Sequence, residues 1–274
     1  MKLLFFIIIF TIIYAIYTFL IFPGRCDLKK HKEFRNINIA HRGLHSADKT
    51  IPENSMAAFD AAVKAGFGIE LDIQLSKDKQ IVVFHDSSLD RVCGVHGRVD
   101  EFTYAELKTF KLCNTDEHIP LFTDFLKKVD GRVPLVIELK NTRSNKYLCK
   151  AAYEILKNYK GVYCIESFQP YIVRWFKLNA PHILRGQLSA SVRCLKPDLG
   201  LIPAFCLSRL LTNFYCRPQF ISYEKFKLPL SARLCKYFGA ARAVWTVRPG
   251  DDFKACEAAS DIVIFEFYKP DIRY

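Results

Sequence analysis

None of the ten cysteines in this 274-residue chain forms a CxxC pair. Scattered from Cys26 to Cys256, they read as reduced, mostly buried apolar residues, which suits a reducing compartment. Glycine and proline number only 12 each, and no internal repeat is visible, so a collagen-like chain is excluded. Acidic residues are the scarcer charge: 28 Asp+Glu face 40 Lys+Arg, a net +12. The basic excess is dispersed and no aromatic stacking motif interleaves it, which argues against nucleic acid as the partner. An anionic membrane surface accounts for it more simply. Half of the residues are apolar, which excludes disorder for most of the chain.

Charge is also missing from Leu3 to Phe22, a run of 20 residues. That length spans a bilayer. Pro23-Gly24-Arg25 follows, a poor cleavage site, so an uncleaved single-pass anchor over residues 1–24 is expected rather than a signal peptide. Arg25, Lys29, Lys30, Lys32 and Arg35 then form a basic juxtamembrane linker over residues 25–35. Only Lys2 and the terminal amine precede the run, so the bias places the large domain on the cytoplasmic side.

Residues 36–274 are long enough for one large domain. Short apolar runs alternate with helical patterns: Asn36–Ala40, Gly68–Ile73, Ile81–His85, Val133–Leu139, Val162–Ile165, Ile183–Leu188, Phe220–Tyr223, Ala243–Val247 and Ile262–Phe267. Helices are expected over Ser55–Ala65, Leu121–Val129 and Tyr147–Tyr159. Strand–helix alternation at this length predicts an α/β TIM barrel. Nine runs are one too many for it. Residues 74–80 are too few for a crossover helix and read as a hairpin-like irregularity. Residues 86–119 read as a small insertion over one mouth.

Four of the runs end in, or carry, chemistry-bearing side chains: His41-Arg42, then Glu70 and Asp72, then His85-Asp86, then Glu138 and Lys140. Strand alternation puts Glu70 and Asp72 on one face, and likewise Glu138 and Lys140. Three carboxylates in apolar strands are costly to bury unless a cation compensates them, and oxygen ligands alone favour Mg²⁺ or Ca²⁺. A cation, a basic pair for phosphate and two imidazoles for acid/base work suggest phosphodiester cleavage.

These motifs stand in the order HRG, PENS, ELD, HD and ELK between residues 41 and 140, and the chain thereby resembles the glycerophosphodiester phosphodiesterase family. Weaker echoes follow at Glu166-Ser167-Phe168, at Val244-Trp245-Thr246-Val247 and in the last strand. The resemblance implies a metal-dependent TIM-barrel enzyme that releases glycerol 3-phosphate and an alcohol. Glu70, Asp72 and Glu138 match its metal ligands, His41 and His85 its acid/base pair, and Arg42 and Lys140 its phosphate contacts. It also implies attack by the substrate's own neighbouring hydroxyl, giving a cyclic phosphate that water opens, with His85 as acid and His41 as base.

Two other readings are a phospholipase D-like activity on lysophospholipids, which an apolar rim would favour, and a non-catalytic scaffold, which the intact polar set opposes. Pro52 and Asn54 read as structural, Asp86 as a helix cap or turn former, His45 as a surface-loop residue or else a substrate contact, and Trp245 as barrel packing or else a wall for the glycerol. The last strand, DIVIFEFYKP, departs from the family's usual Thr-Asp before a Pro, and Glu266 is the acid that stands nearest to it.

Overall fold

The computed structural model describes residues 1–27, 32–34, 37–225 and 228–271. Lys29, Lys30, Arg35 and Asn36 of the sequence-derived linker and first strand lie outside the described residues. In chain order the elements are α1 (Lys2–Ile21), β1 (Asn38–Ala40), α2 (Met56–Lys64), β2 (Gly68–Leu75), β3 (Ile81–Val83), α3 (Asp90–Cys93), α4 (Tyr104–Leu107) and α5 (Phe122–Val129). There follow β4 (Leu135–Leu139), α6 (Asn145–Leu156), β5 (Tyr163–Ser167), α7 (Pro170–Asn179), β6 (Leu184–Ser189), α8 (Val192–Leu199), α9 (Leu201–Ser208) and α10 (Asn213–Cys216). The chain closes with β7 (Phe220–Glu224), α11 (Leu230–Tyr237), β8 (Ala241–Val247), α12 (Phe253–Ala259) and β9 (Ile262–Phe265).

Eight parallel strands run β1-β9-β8-β7-β6-β5-β4-β2, and a β1–β2 pairing closes the TIM barrel. The ninth run is accounted for by β3, which pairs antiparallel with the C-terminal half of β2. The hairpin expected at residues 74–80 is therefore present, but β3 is not a barrel strand. His85 reaches the mouth on the returning arm of that hairpin, where Phe84 N donates to Asp72 O.

Strand alternation sorts the side chains. Ile39, Val136, Cys164, Leu184, Phe220, Ala243 and Ile264 fill the barrel interior, while Ile69, Leu71, Ile137 and Ile165 face the helices. Gly186 leaves the space that the Phe220 ring occupies; a Cβ there would lie 2.1 Å from it. Phe34, expected in the linker, is buried in the interior cluster, so barrel packing begins before residue 36.

Segment 86–119 holds no strand and has its own small core, built on Leu89, Val92, Val99, Leu107 and Leu112. Its partly buried Val95, Phe102 and Phe110 pack onto that core, so they make no apolar rim around the mouth. Among the described residues α1 is the one helix long and apolar enough to cross a membrane, as an anchor or a signal segment. Its last turn is docked: Ile21 is buried, and Asn213 Nδ2 donates to Ile21 O at 3.0 Å. Gly24 N then donates to Pro218 O, at the base of the barrel.

Candidate active site

Strands β2, β4 and β5 place polar inward residues above the apolar floor. Parallel register sets Asp72 level with Glu138, and Glu138 level with Glu166. Glu70 lies one inward position below Asp72 on β2. All four carboxylates are buried. Glu70, Asp72 and Glu138 each offer an oxygen within 4.8 Å of the others, a set that could hold a metal ion.

Their electrostatics differ. Burial pushes the Glu70 carboxyl well up, and the neighbouring charges of Asp72 and Glu138 add to it. Burial also raises Glu138, against the pull of Lys140. Glu166 is pushed up to about 8 by burial and then by Glu138, and its Oε2 has no hydrogen-bond partner. At Asp72 burial acts in the same sense, but Lys140, His85 and Arg42 outweigh it and hold the carboxyl far below its usual range. Lys140 Nζ lies 2.8 Å from Glu138 and 3.3 Å from Asp72.

The two histidines are held alike. His41 Nδ1 donates to Glu266 Oε2 at 2.7 Å, and His85 Nδ1 donates to Asp86 Oδ1 at 2.6 Å. Each imidazole thus keeps Nε2 for the mouth, and His41 Nε2 is 3.9 Å from Glu70. Burial lowers His41 to about 4, with Arg42 acting in the same direction and Glu266 against it. Burial opposes ionisation of Glu266, yet its bonds from His41, and from Arg248 Nε on the other oxygen, keep it a carboxylate.

The loop after β1 sets Arg42. Arg42 and Gly43 both take positive φ, 54° and 78°. A Cβ on Gly43 would meet the Ala58 backbone at 2.9 Å, so the tight return from strand to helix needs glycine. Arg42 Nη1 donates to Glu53 at 2.7 Å, whereas its Nε, 3.5 Å from Asp72, has no hydrogen-bond partner. Glu53 also binds Arg91, which binds Asp86, so a continuous chain of ion pairs links Arg42 to His85. Asn54 Nδ2 donates to Asp72 Oδ2 at 2.8 Å, and Ser55 caps α2 by accepting from Ala58 N.

All seven residues expected at the site, His41, Arg42, Glu70, Asp72, His85, Glu138 and Lys140, converge on this mouth. Two expectations fail. Asp86 is the partner of His85, not a cap, because it follows His85 directly and turns back onto its ring. His45 is not a surface-loop residue: its side chain is mostly buried, edge-on to Phe267, with Nε2 3.5 Å from Glu266. His41, His45 and Glu266 also lie close enough for a metal, but Arg248 already shares Glu266. Glu166 was legible only as an echo, although its place two residues beyond Cys164 on β5 sends it inward. Arg91 and Arg248 carried no sequence signal. Trp245 packs against the interior floor and, edge-on at 5.8 Å, against Phe168.

A closed parallel barrel with this polar cluster at the C-terminal ends of its strands defines a TIM-barrel phosphodiesterase. The profile of the "Glycerophosphoryl diester phosphodiesterase family" matches residues 41–267. The chain is similar to a glycerophosphodiester phosphodiesterase of Caldanaerobacter subterraneus subsp. tengcongensis, 31% identical over 80% of this chain and 89% of that relative. It is also similar to a lysophospholipase D of Mus musculus, 33% identical over 72% of this chain and 61% of the relative. Among solved structures, a phosphodiesterase of Oleispira antarctica in complex with the product sn-glycerol-3-phosphate shares the fold, with TM-score 0.68 and 23% identity over 85% and 94% of the two chains. The chain belongs to the glycerophosphoryl diester phosphodiesterase family.

Proposed function

We propose that the chain hydrolyses glycerophosphodiesters to glycerol 3-phosphate and an alcohol at this mouth, with one divalent cation, Ca²⁺ or Mg²⁺. Glu70, Asp72 and Glu138 hold the ion, whose positive charge offsets that on the phosphoryl oxygens. The observation that carries this reading is the pair of imidazoles, each clamped at Nδ1 by a carboxylate and each facing the three buried acids.

The low pKa of His41 leaves its Nε2 an acceptor at neutral pH. It takes the proton of the attacking glycerol hydroxyl as the new O–P bond forms. The bond to the departing alkoxide breaks, and His85 Nε2 supplies that oxygen's proton. Water then opens the cyclic phosphate with the two roles exchanged. Arg42, its guanidinium held by Glu53, adds positive charge beside the phosphate. Lys140 has three N–H donors, and two are spent on Glu138 and Asp72, which leaves one for the phosphate. Asp86 and Glu266 are positioning residues.

A lysophospholipid is a glycerophosphodiester that carries one acyl chain, so the same chemistry serves it. The membrane-competent α1 and the similarity to the murine lysophospholipase D favour this second reading. In it α1 is a single-pass anchor, and the barrel, with Phe34 in its floor and the insertion at 86–119, is the catalytic domain on the cytoplasmic side.

The test is a panel of water-soluble glycerophosphodiesters and lysophospholipids given to the full chain with and without chelator. Release of glycerol 3-phosphate or lysophosphatidate that chelator abolishes supports the reading. Turnover of neither class in the presence of Ca²⁺ or Mg²⁺ refutes it.

A further inference from the structure

The apolar rim absent from segment 86–119 is present on the other side of the mouth. Helices α8 and α9 form a hairpin that leaves the end of β6 and returns beside it. At its root, Ser191 N donates to Glu224 Oε1 at 2.6 Å, and Leu195 and Leu207 pack with Phe168 and Trp245. Ser189 Oγ donates to Leu207 O at 2.8 Å, and Ser208 Oγ lies 3.1 Å from the Tyr223 hydroxyl. The last turn of α9 is therefore level with the C-terminal ends of β6 and β7. Its first turn lies about 9 Å further along the helix axis, at 1.5 Å of rise per residue.

That raised tip is apolar and uncovered. Leu199, Leu201, Ile202 and Phe205 are 40%, 60%, 76% and 47% exposed. Ile202 and Phe205 share one helical face, while Ala204 and Leu207 on the opposite face are buried. Such a cluster in water marks a surface that something covers. Exposed Arg193 and Lys196 on α8, and Arg209 just past α9, outnumber the exposed Asp198 beside Leu199, so the tip carries a net positive charge. The chain continues directly into α10, whose Phe214 meets Phe19 of α1 at 6.0 Å between ring centroids. The apolar tip, rooted at the mouth end, and the apolar helix α1, docked toward the base, thus share one flank of the barrel.

We propose that the α8–α9 tip inserts into the interface of an anionic bilayer, with its apolar side chains among the acyl chains and its bases against the headgroup phosphates. This sets the flank beside the mouth against the lipid surface and delivers membrane-borne glycerophosphodiesters, lysophospholipids in particular, to the site. The substrate preference rests on the phosphodiesterase reading above, whereas the insertion does not. Apolar tips ringed by bases bind membranes through buried area plus attraction to anionic lipid.

The full chain is reconstituted into phosphatidylcholine vesicles with and without phosphatidylserine, and Ile202→Trp is compared with the unsubstituted protein. Brominated acyl chains should quench the fluorescence that the substitution adds, and more strongly with phosphatidylserine present. Ile202→Glu with Phe205→Glu should raise KM for a vesicle-borne lysophospholipid at least about 10-fold, the weight of one apolar side chain left in water. Turnover of water-soluble glycerophosphocholine should not change. Quenching with turnover of neither substrate would sustain insertion and remove the substrate assignment. No quenching overturns insertion. So does an equal loss on both substrates, or a dimer in detergent that Ile202→Glu dissolves, which would assign the tip to a second copy.

Discussion

Glu266 Oε2 sits 2.7 Å from His41 Nδ1, although the two residues are 225 positions apart in the chain. The last barrel strand supplies the acid and the first supplies the imidazole, and β1–β9 pairing brings them together. The bond fixes the tautomer with Nε2 as acceptor and aims it at the mouth.

Removing that bond should lower the rate without weakening substrate binding. Glu266→Gln should cost kcat at least about 10-fold while KM hardly moves, as is usual when an acid that orients a catalytic histidine is lost. Steady-state kinetics on glycerophosphocholine check this. A change confined to KM would mean that Glu266 contacts substrate instead.

The histidines should differ in how a leaving group affects them. His41→Ala and His85→Ala should each lose at least about 10²-fold in kcat on a natural diester. A nitrophenyl ester needs little protonation as it departs, so it should rescue His85→Ala and leave His41→Ala impaired. Equal rescue of both would show that the roles are not divided in this way.

The metal-free protein should be less stable in base than in mild acid. Glu70, Glu138 and Glu166 all have pKa values raised in the folded state, by burial first and next by Asp72 for Glu70 and Glu138 and by Glu138 for Glu166. At these three groups the folded state binds more protons than the unfolded chain, whose Glu titrates at about 4.3, and His41, lowered to about 4, offsets one of them. Stability then falls as pH rises from that value toward about 8, where Glu166 titrates. In chelator the melting temperature should drop between mildly acid and neutral pH, and excess Mg²⁺ or Ca²⁺ should restore it with release of protons. A melting temperature that rises across this window in chelator would contradict the electrostatic reading of the cluster.

Much of this was legible in residues 41–140, because the alternation of Glu70 with Asp72 and of Glu138 with Lys140 dictates which face they share. Local spacing also exposed the β2–β3 hairpin. What stayed hidden depends on contacts far apart in sequence. His45 looked exposed because the ring that covers it, Phe267, arrives more than 200 residues later. Asp86 looked like a cap because a carboxylate after a strand is ambiguous until the turn that follows is known. Phe34 looked like linker because one aromatic residue among charges carries no periodicity, yet it closes the barrel floor.

The central claim, that the carboxylates of Glu70, Asp72 and Glu138 hold one ion on which diester cleavage depends, is tested most directly by titrating metal into the stripped full chain. Bound metal and turnover of glycerophosphocholine are measured on the same samples. The account predicts that turnover rises in proportion to bound Mg²⁺ or Ca²⁺ and saturates at one ion per chain, with Glu70→Gln losing both together. Full turnover in protein that holds no metal would contradict it.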